Sequence, residues 1–132
     1  MILLDASFVI AWLLGEARAA RLPVHAHLLG ILPAQYCEVL VHFLRRGVSR
    51  AHLLAQLTPI DRLAPQEDEL QDAAERYLTA RRQQSKASLA DAIMVATACA
   101  RQLPVASFDA DLQDLGLTLQ DTLWRGNAGH HP

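Results

Sequence analysis

The sequence predicts an α/β fold of three layers, a central parallel sheet of four to five short strands flanked by helices. Three observations carry that expectation. The opening run Met1–Leu4 is wholly apolar, the pattern of a strand buried on both faces. Short runs of strand character alternate along the chain with helical segments, which is how parallel strands become joined by crossovers. With 132 residues and 52% hydrophobic content, the chain is long enough to bury one core.

Met1–Leu4 is the first strand. Ser7 is placed to cap a helix through Leu14, and Gly15 to stop it. Between Pro23 and Pro33 the pattern weakens, and His25–Leu29 reads as helical. Gln35–Arg46 is a helix ended by Gly47, and Ser49 caps another over Arg50–Leu57. Thr58–Leu63 reads as a short strand despite Pro59. A long helix follows over Gln66–Gln83, acidic at its start (Glu67, Asp68, Glu69) and basic towards its end (Arg76, Arg81, Arg82), as the macrodipole favours. Leu70, Ala74, Tyr77 and Leu78 supply its apolar face. Ser88–Arg101 is the next helix, Val105–Phe108 a strand and Leu117–Gln120 the last strand. No repeat, low-complexity stretch or linker divides the chain.

The formal charge of −2 and a pI near 6.3 set up no global basic field for nucleic acid. Local patches are a separate matter, since all but one of the 12 basic residues are arginine, the better bidentate phosphate ligand. Cys37 and Cys99 fit no metal or redox spacing; their apolar helical surroundings predict buried, reduced thiols and a cytoplasmic setting. The apolar N-terminus lacks the basic start and small-residue cleavage site of a signal peptide, and Asp5 interrupts it. No run reaches the length of a membrane span. A soluble protein with no membrane partner is expected.

Four acids stand where a fold alone would not place them. Asp5 follows the first strand directly, at the strand end where open α/β sheets bind ligands, although a cap or turn aspartate also occurs there. Asp109 ends VASFD in the same way; a turn built with Asp111 is the alternative reading. Asp91 interrupts ASLADAIMVATACA, a helix apolar nearly all round and therefore expected to be buried. A lone carboxylate there costs several kcal/mol unless paired, protonated or metal-bound, roughly the penalty for any isolated buried charge. The nearest cations along the chain are Lys86 and Arg101, more than one turn away, so its partner is expected from elsewhere in the fold. Glu38 shares a stripe with Gln35, His42 and Arg45 on QYCEVLVHFLRR, which on its own suits a solvated face equally well.

Taken as one cluster, Asp5, Glu38, Asp91 and Asp109 cannot all stay ionised without a compensating charge. Oxygen ligands favour Mg²⁺ or Mn²⁺ over zinc. Such ions clamp phosphate and activate water, which makes a nuclease or phosphatase the expected class. P-loop, G-x-G-x-x-G, G-x-S-x-G and H-E-x-x-H motifs are absent. The D-x-D of haloacid dehalogenase-type phosphatases is absent too, since Ala6 and Ser7 follow Asp5.

The segments MILLDASFVIAWLLGE, PAQYCEVLVHFLRRG and SLADAIMVATACARQLPVASFDADL resemble the PIN-domain ribonucleases, most closely the VapC toxins of bacterial toxin–antitoxin pairs. The resemblance spans essentially the whole chain. It implies a single PIN-like domain over residues 1–126; residues 127–132, ending in Gly129-His130-His131-Pro132, read separately as a flexible tail. It also implies an acidic pocket of Asp5, Glu38, Asp91 and Asp109, with Mg²⁺ on Asp5, Asp91 and Asp109 and with Asp111 as the alternative fourth acid. Ser7 and Ser107 would support the pocket, Ser107 standing where the family often has threonine. An RNA substrate, a VapB-type antitoxin and a homodimer are the partners implied.

Arg45, Arg46 and Arg50 are candidates to guide RNA phosphates, or else a solvated arginine cluster. His42 lies one turn from Glu38, a spacing that allows a shared metal and also an ordinary surface histidine. The apolar excess at Trp12, Leu13 and Leu14 suits either a core helix or a partner surface. A non-catalytic module holding RNA or protein is the alternative to an enzyme.

Overall fold

The structure is a computed structural model that describes residues 1–22 and 27–117, together with the backbone of 122–124. Five strands form one parallel sheet: β1 (Ile2–Leu4), β2 (Leu29–Ile31), β3 (Ile60–Arg62), β4 (Val105–Ala106) and β5 (Thr122–Trp124), in the order β3-β2-β1-β4-β5. Among the described residues the helices that connect them are α1 (Ala6–Leu13), α2 (Ala17–Ala20), α3 (Pro33–Leu44), α4 (Arg50–Leu57), α5 (Glu67–Arg82) and α6 (Leu89–Arg101). A 3-10 helix over Ala110–Leu115 follows β4.

Strand alternation splits the core in two. Ile2 and Leu4 of β1 point to the face covered by α1 to α4, where Phe8, Val39, Phe43 and Leu53 pack. Leu3 points to the other face, against Ala73 and Ala80 of α5 and Met94, Val95 and Ala98 of α6. The expected three layers are present, and every strand is short.

Several elements differ from expectation. The segment read as helical at His25–Leu29 instead leads into β2; residues 23–26 lie outside the described ones. Gly30 sits in that strand with no side chain of its own, and a Cβ there would stand 2.8 Å from both Leu63 Cδ1 and Met1 Sδ. Asp5, rather than Ser7, caps α1. Pro33, expected as a boundary, is the first residue of α3, where its missing N–H costs nothing. The last strand is found at 122–124, whereas Leu117 precedes it outside any strand and 118–120 lie outside the described residues, as do residues 127–132 of the expected tail.

The long helix α5 is turned from the expected face: of the four residues read as its apolar side, Tyr77 packs on the core and Leu70, Ala74 and Leu78 do not. Leu70 and Leu78 are exposed, and Glu69, Ala73 and Ala80 are buried. Alanines let α5 lie close to α6. Glu69 is tolerated inside because Arg101 donates from Nε and Nη2 to its two carboxylate oxygens at 2.8 and 2.9 Å, and because the Gln66 N–H donates at 2.8 Å. Cys37 is exposed rather than buried, and Cys99 is partly buried. Trp12 and Leu13 pack on the core, leaving Leu14 exposed. No described helix is long and apolar enough to cross a membrane.

Candidate active site

The sheet builds outward in opposite directions from β1. The chain adds β2 and β3 on one side, then returns through α5 and α6 to place β4 on the other. Such a reversal leaves a crevice beyond the carboxyl ends of the two central strands, the place where open α/β sheets bind ligands. Asp5 leaves β1 at that crevice, and Ser107 to Asp109 leave β4 beside it.

Asp5 is a helix cap and a site residue at once. The Ala6 N–H donates to its Oδ1 at 2.9 Å, while Oδ2 accepts from Ser107 Oγ at 2.6 Å and Ser7 Oγ at 3.0 Å. Each serine in turn accepts a backbone N–H from the loop after β4. Phe108 donates to Ser7 Oγ at 3.1 Å and Asp109 to Ser107 Oγ at 2.9 Å. The two hydroxyls therefore tie the ends of β1 and β4 together and fix where Asp109 starts. Asp5 is only 4% exposed. Burial pushes its carboxyl up to about 6, against the Ser107 hydrogen bond that holds it down, and the charges of Asp91 and Asp109 push further.

Glu38 projects from α3 into the same field. Its side chain is exposed; such desolvation as it meets raises its pKa first, then the charges of Asp5, Asp91 and Asp109. Asp109 caps the 3-10 helix, accepting from the Asp111 N–H at 2.9 Å; Asp111 itself is exposed. Asp109, and not Asp111, is among the charges that raise Asp5 and Glu38.

Asp91 is placed differently from the expectation. It sits at the third position of α6 and is only partly buried. Its partner comes from its own helix, in a capping box: the Ser88 N–H donates to Asp91 Oδ2 at 3.3 Å, and the Asp91 N–H to Ser88 Oγ at 3.0 Å. An all-apolar composition suggested deep burial, but the helix begins at the crevice and its first turn meets solvent, with Leu89 49% exposed.

The donor chemistry suits a hard divalent cation, being oxygen-only and in excess of negative charge, with no basic group among those that shift Asp5 or Glu38. As they stand, the carboxylates do not converge: among the described residues, no three His, Cys, Asp or Glu side chains are grouped to hold an ion. Arg45, Arg46 and His42 line a cavity together with Glu38, whereas Arg50, the first residue of α4, does not. Desolvation first, then the positive charges of Arg46 and Arg45, lower the His42 pKa.

Two residues escaped the sequence reading. Gln35, one turn before Glu38, is fully buried; its Nε2 donates to the Ala90 carbonyl at 3.2 Å, joining α3 to the turn of α6 that carries Asp91, and its Oε1 has no partner among the described residues. Its place on the Glu38 stripe was the available signal. The Arg18 guanidinium lies 4.2 Å from the centroid of the Phe108 ring, next to Asp109, and came from a stretch without legible periodicity.

The PIN domain family model matches residues 2–117. No curated protein matches the chain significantly. Among solved structures, a toxin–antitoxin complex from Klebsiella pneumoniae superposes with a TM-score of 0.66 at 24% identity, covering 93% of this chain and 96% of that one. The sarcin–ricin loop-cleaving toxin VapC20 of Mycobacterium tuberculosis gives 0.69 at 23% identity, covering 89% and 97%. The FitAcB structure from Neisseria gonorrhoeae gives 0.58 at 19% identity, covering 89% and 95%. The neighbours share the fold, and the family model spans both strand ends that carry the acids: the chain belongs to the PIN domain family.

Proposed function

We propose that the chain is a divalent-metal-dependent endoribonuclease, the toxin of a VapBC-type toxin–antitoxin pair. The observation that carries this reading is the buried Asp5 carboxyl at the switch point of the sheet, raised to about 6 by burial and by the charges of Asp91 and Asp109. Asp5, Asp91 and Asp109 would hold Mg²⁺ or Mn²⁺, with Asp111 as the alternative to Asp109. Held by these carboxylates, the ion's contribution would be Lewis-acid polarisation of the RNA phosphodiester and a lowered pKa of the attacking water.

The remaining work belongs to side chains of this protein. Ser7 and Ser107 orient Asp5 through their hydrogen bonds to Oδ2. Glu38, with its raised pKa, takes the proton from the attacking water. Arg45, Arg46 and Arg50 draw RNA phosphates towards the crevice. The toxin–antitoxin complex and the sarcin–ricin loop-cleaving toxin among the structural neighbours support an antitoxin partner and an RNA target, and a homodimer is proposed with them.

The test is RNA cleavage with and without EDTA in the wild type, Asp5→Asn and Asp91→Asn. Cleavage should require added Mg²⁺ or Mn²⁺ and disappear in both folded variants. Undiminished cleavage by both would overturn the proposal. The unconverged carboxylates favour one second reading, a non-catalytic module that binds RNA or protein. A protein that takes up neither ion at millimolar concentration supports that module instead.

A further inference from the structure

The geometry points to a nucleotide subsite beside the acidic crevice: the cavity bounded by α1 and α3 holds one unpaired RNA base adjoining the phosphate that the acids handle. The inference rests on the ribonuclease reading above and goes beyond it in naming where sequence preference arises.

The cavity has a volume of about 370 Å³, within the range of small-ligand sites. Glu38, Val41, His42 and Arg45 follow i, i+3, i+4 and i+7 spacing and so share one stripe of α3. From Glu38 to Arg45 the helix rises roughly 10 Å. Ile10 of α1 supplies apolar wall, and Arg46 adds a second guanidinium to the lining. Val41 stays 51% exposed although apolar. The polarity is graded along the stripe, from carboxylate through apolar wall and aromatic ring to guanidinium.

That order suits one nucleotide unit. The reacting phosphate lies towards Glu38 and its acidic neighbours, the base rests against Val41, Ile10 and the His42 ring, and the next phosphate meets Arg45 and Arg46. Arg46 is held in place, its Nη1 donating to the His42 carbonyl at 2.7 Å. The His42 ring packs edge-on against Phe43, with centroids 4.9 Å apart. Desolvation first and the flanking guanidiniums second lower its pKa, and an imidazole ring offers a base a stacking surface. RNA fits this surface better than an acidic peptide would, because the cavity opens on Glu38, where a scissile phosphate must arrive in any case. The paired guanidiniums also stand out in a chain of formal charge −2.

The experiment titrates fluorescent single-stranded RNA oligomers rich in A, C, G or U into the protein in EDTA, then maps cleavage sites with Mg²⁺ or Mn²⁺. Variants are Val41→Trp, which fills the cavity from an exposed position, His42→Ala, Arg45→Ala and a distant charge control, Arg82→Ala. The wild type should prefer one composition. Val41→Trp and His42→Ala should weaken the preferred oligomer roughly tenfold and flatten the preference, as the loss of one stacked base does. Arg45→Ala should weaken all oligomers alike and reduce the slope of log affinity against log salt by about 0.7. Arg82→Ala should do neither, and melting curves establish that each variant folds.

If Val41→Trp and His42→Ala keep wild-type preference and cleavage sites, the subsite is overturned while the ribonuclease stands. If the wild type cleaves no RNA with either ion, the ribonuclease reading fails and the subsite fails with it. If Val41→Trp leaves RNA affinity intact and instead breaks the complex with a co-expressed protein partner, the cavity is a protein-docking groove and the subsite is overturned.

Discussion

At Asp5 three hydrogen bonds favour the carboxylate and burial opposes it, and burial wins, leaving a pKa of about 6. The folded protein therefore holds a proton over an interval in which the unfolded chain, with its ordinary value of 3.8, has released it. The group carries no penalty below about pH 4, loses stability as pH rises to 6 and keeps the full penalty above that. About two pKa units correspond to roughly 3 kcal/mol. In metal-free protein, Asp5→Asn should therefore gain on the wild type by roughly 2 kcal/mol between pH 4 and pH 7, read from urea unfolding at each pH. Parallel pH profiles for the two would contradict it. Ser107 is 1% exposed and both donates to Asp5 and accepts from the Asp109 N–H. Ser107→Ala should cost about 2 kcal/mol, because it leaves a donor and a carboxylate short of a partner; a loss below about 0.5 kcal/mol, the usual result for a surface residue, would contradict this.

Between elements, Gln35 links α3 to α6 at the level of Glu38 and Asp91. One hydrogen bond contributes about 1 kcal/mol, whereas an orphaned buried carbonyl costs about 1–3. Gln35→Met, similar in volume, should therefore raise the melting temperature slightly while lowering RNA cleavage, because the two acid-bearing helices lose their tie. Unchanged cleavage in a stabilised variant would leave Gln35 with a packing role only. The Glu69–Arg101 pair joins α5 to the end of α6, and Arg101→Ala should cost about 3–5 kcal/mol by stranding a buried carboxylate. Urea unfolding measures it, and a loss below about 1 kcal/mol would mean that Glu69 is not held by this pair. This packing explains what the sequence hid. Leu70 and Leu78 look like the inner face of α5 by hydrophobicity, yet small alanines and a neutralised glutamate allow the closer approach, so the neighbouring stripe is buried, with Tyr77 at its edge. Three-residue β2, with a glycine at its centre, offered too short a period to be told from helix. By contrast α4 was fully legible, since Ser49 caps it through the His52 N–H at 3.2 Å and its apolar residues keep helical spacing.

For the molecule as a whole, the parallel sheet and its two helical layers could be read from apolar runs and their alternation. The order β3-β2-β1-β4-β5 could not, because nothing local says on which side of β1 a returning strand will settle. That choice decides the site. The four acids sit at positions 5, 38, 91 and 109, and only the reversal at β1 brings the ends of β1 and β4 side by side with the helices that carry Glu38 and Asp91. An ion held by Asp5, Asp91 and Asp109 would therefore join segments spread over most of the chain, and its binding should stabilise global unfolding rather than one loop. At a free concentration a hundred times the dissociation constant, Mg²⁺ or Mn²⁺ should add about 2.7 kcal/mol, seen as a rising unfolding midpoint in urea with an unchanged slope. Asp5→Asn and Asp91→Asn should lose that increment. A midpoint indifferent to both ions in the wild type would mean that the carboxylates never converge on a metal, and the chemistry of the crevice would have to be sought without one.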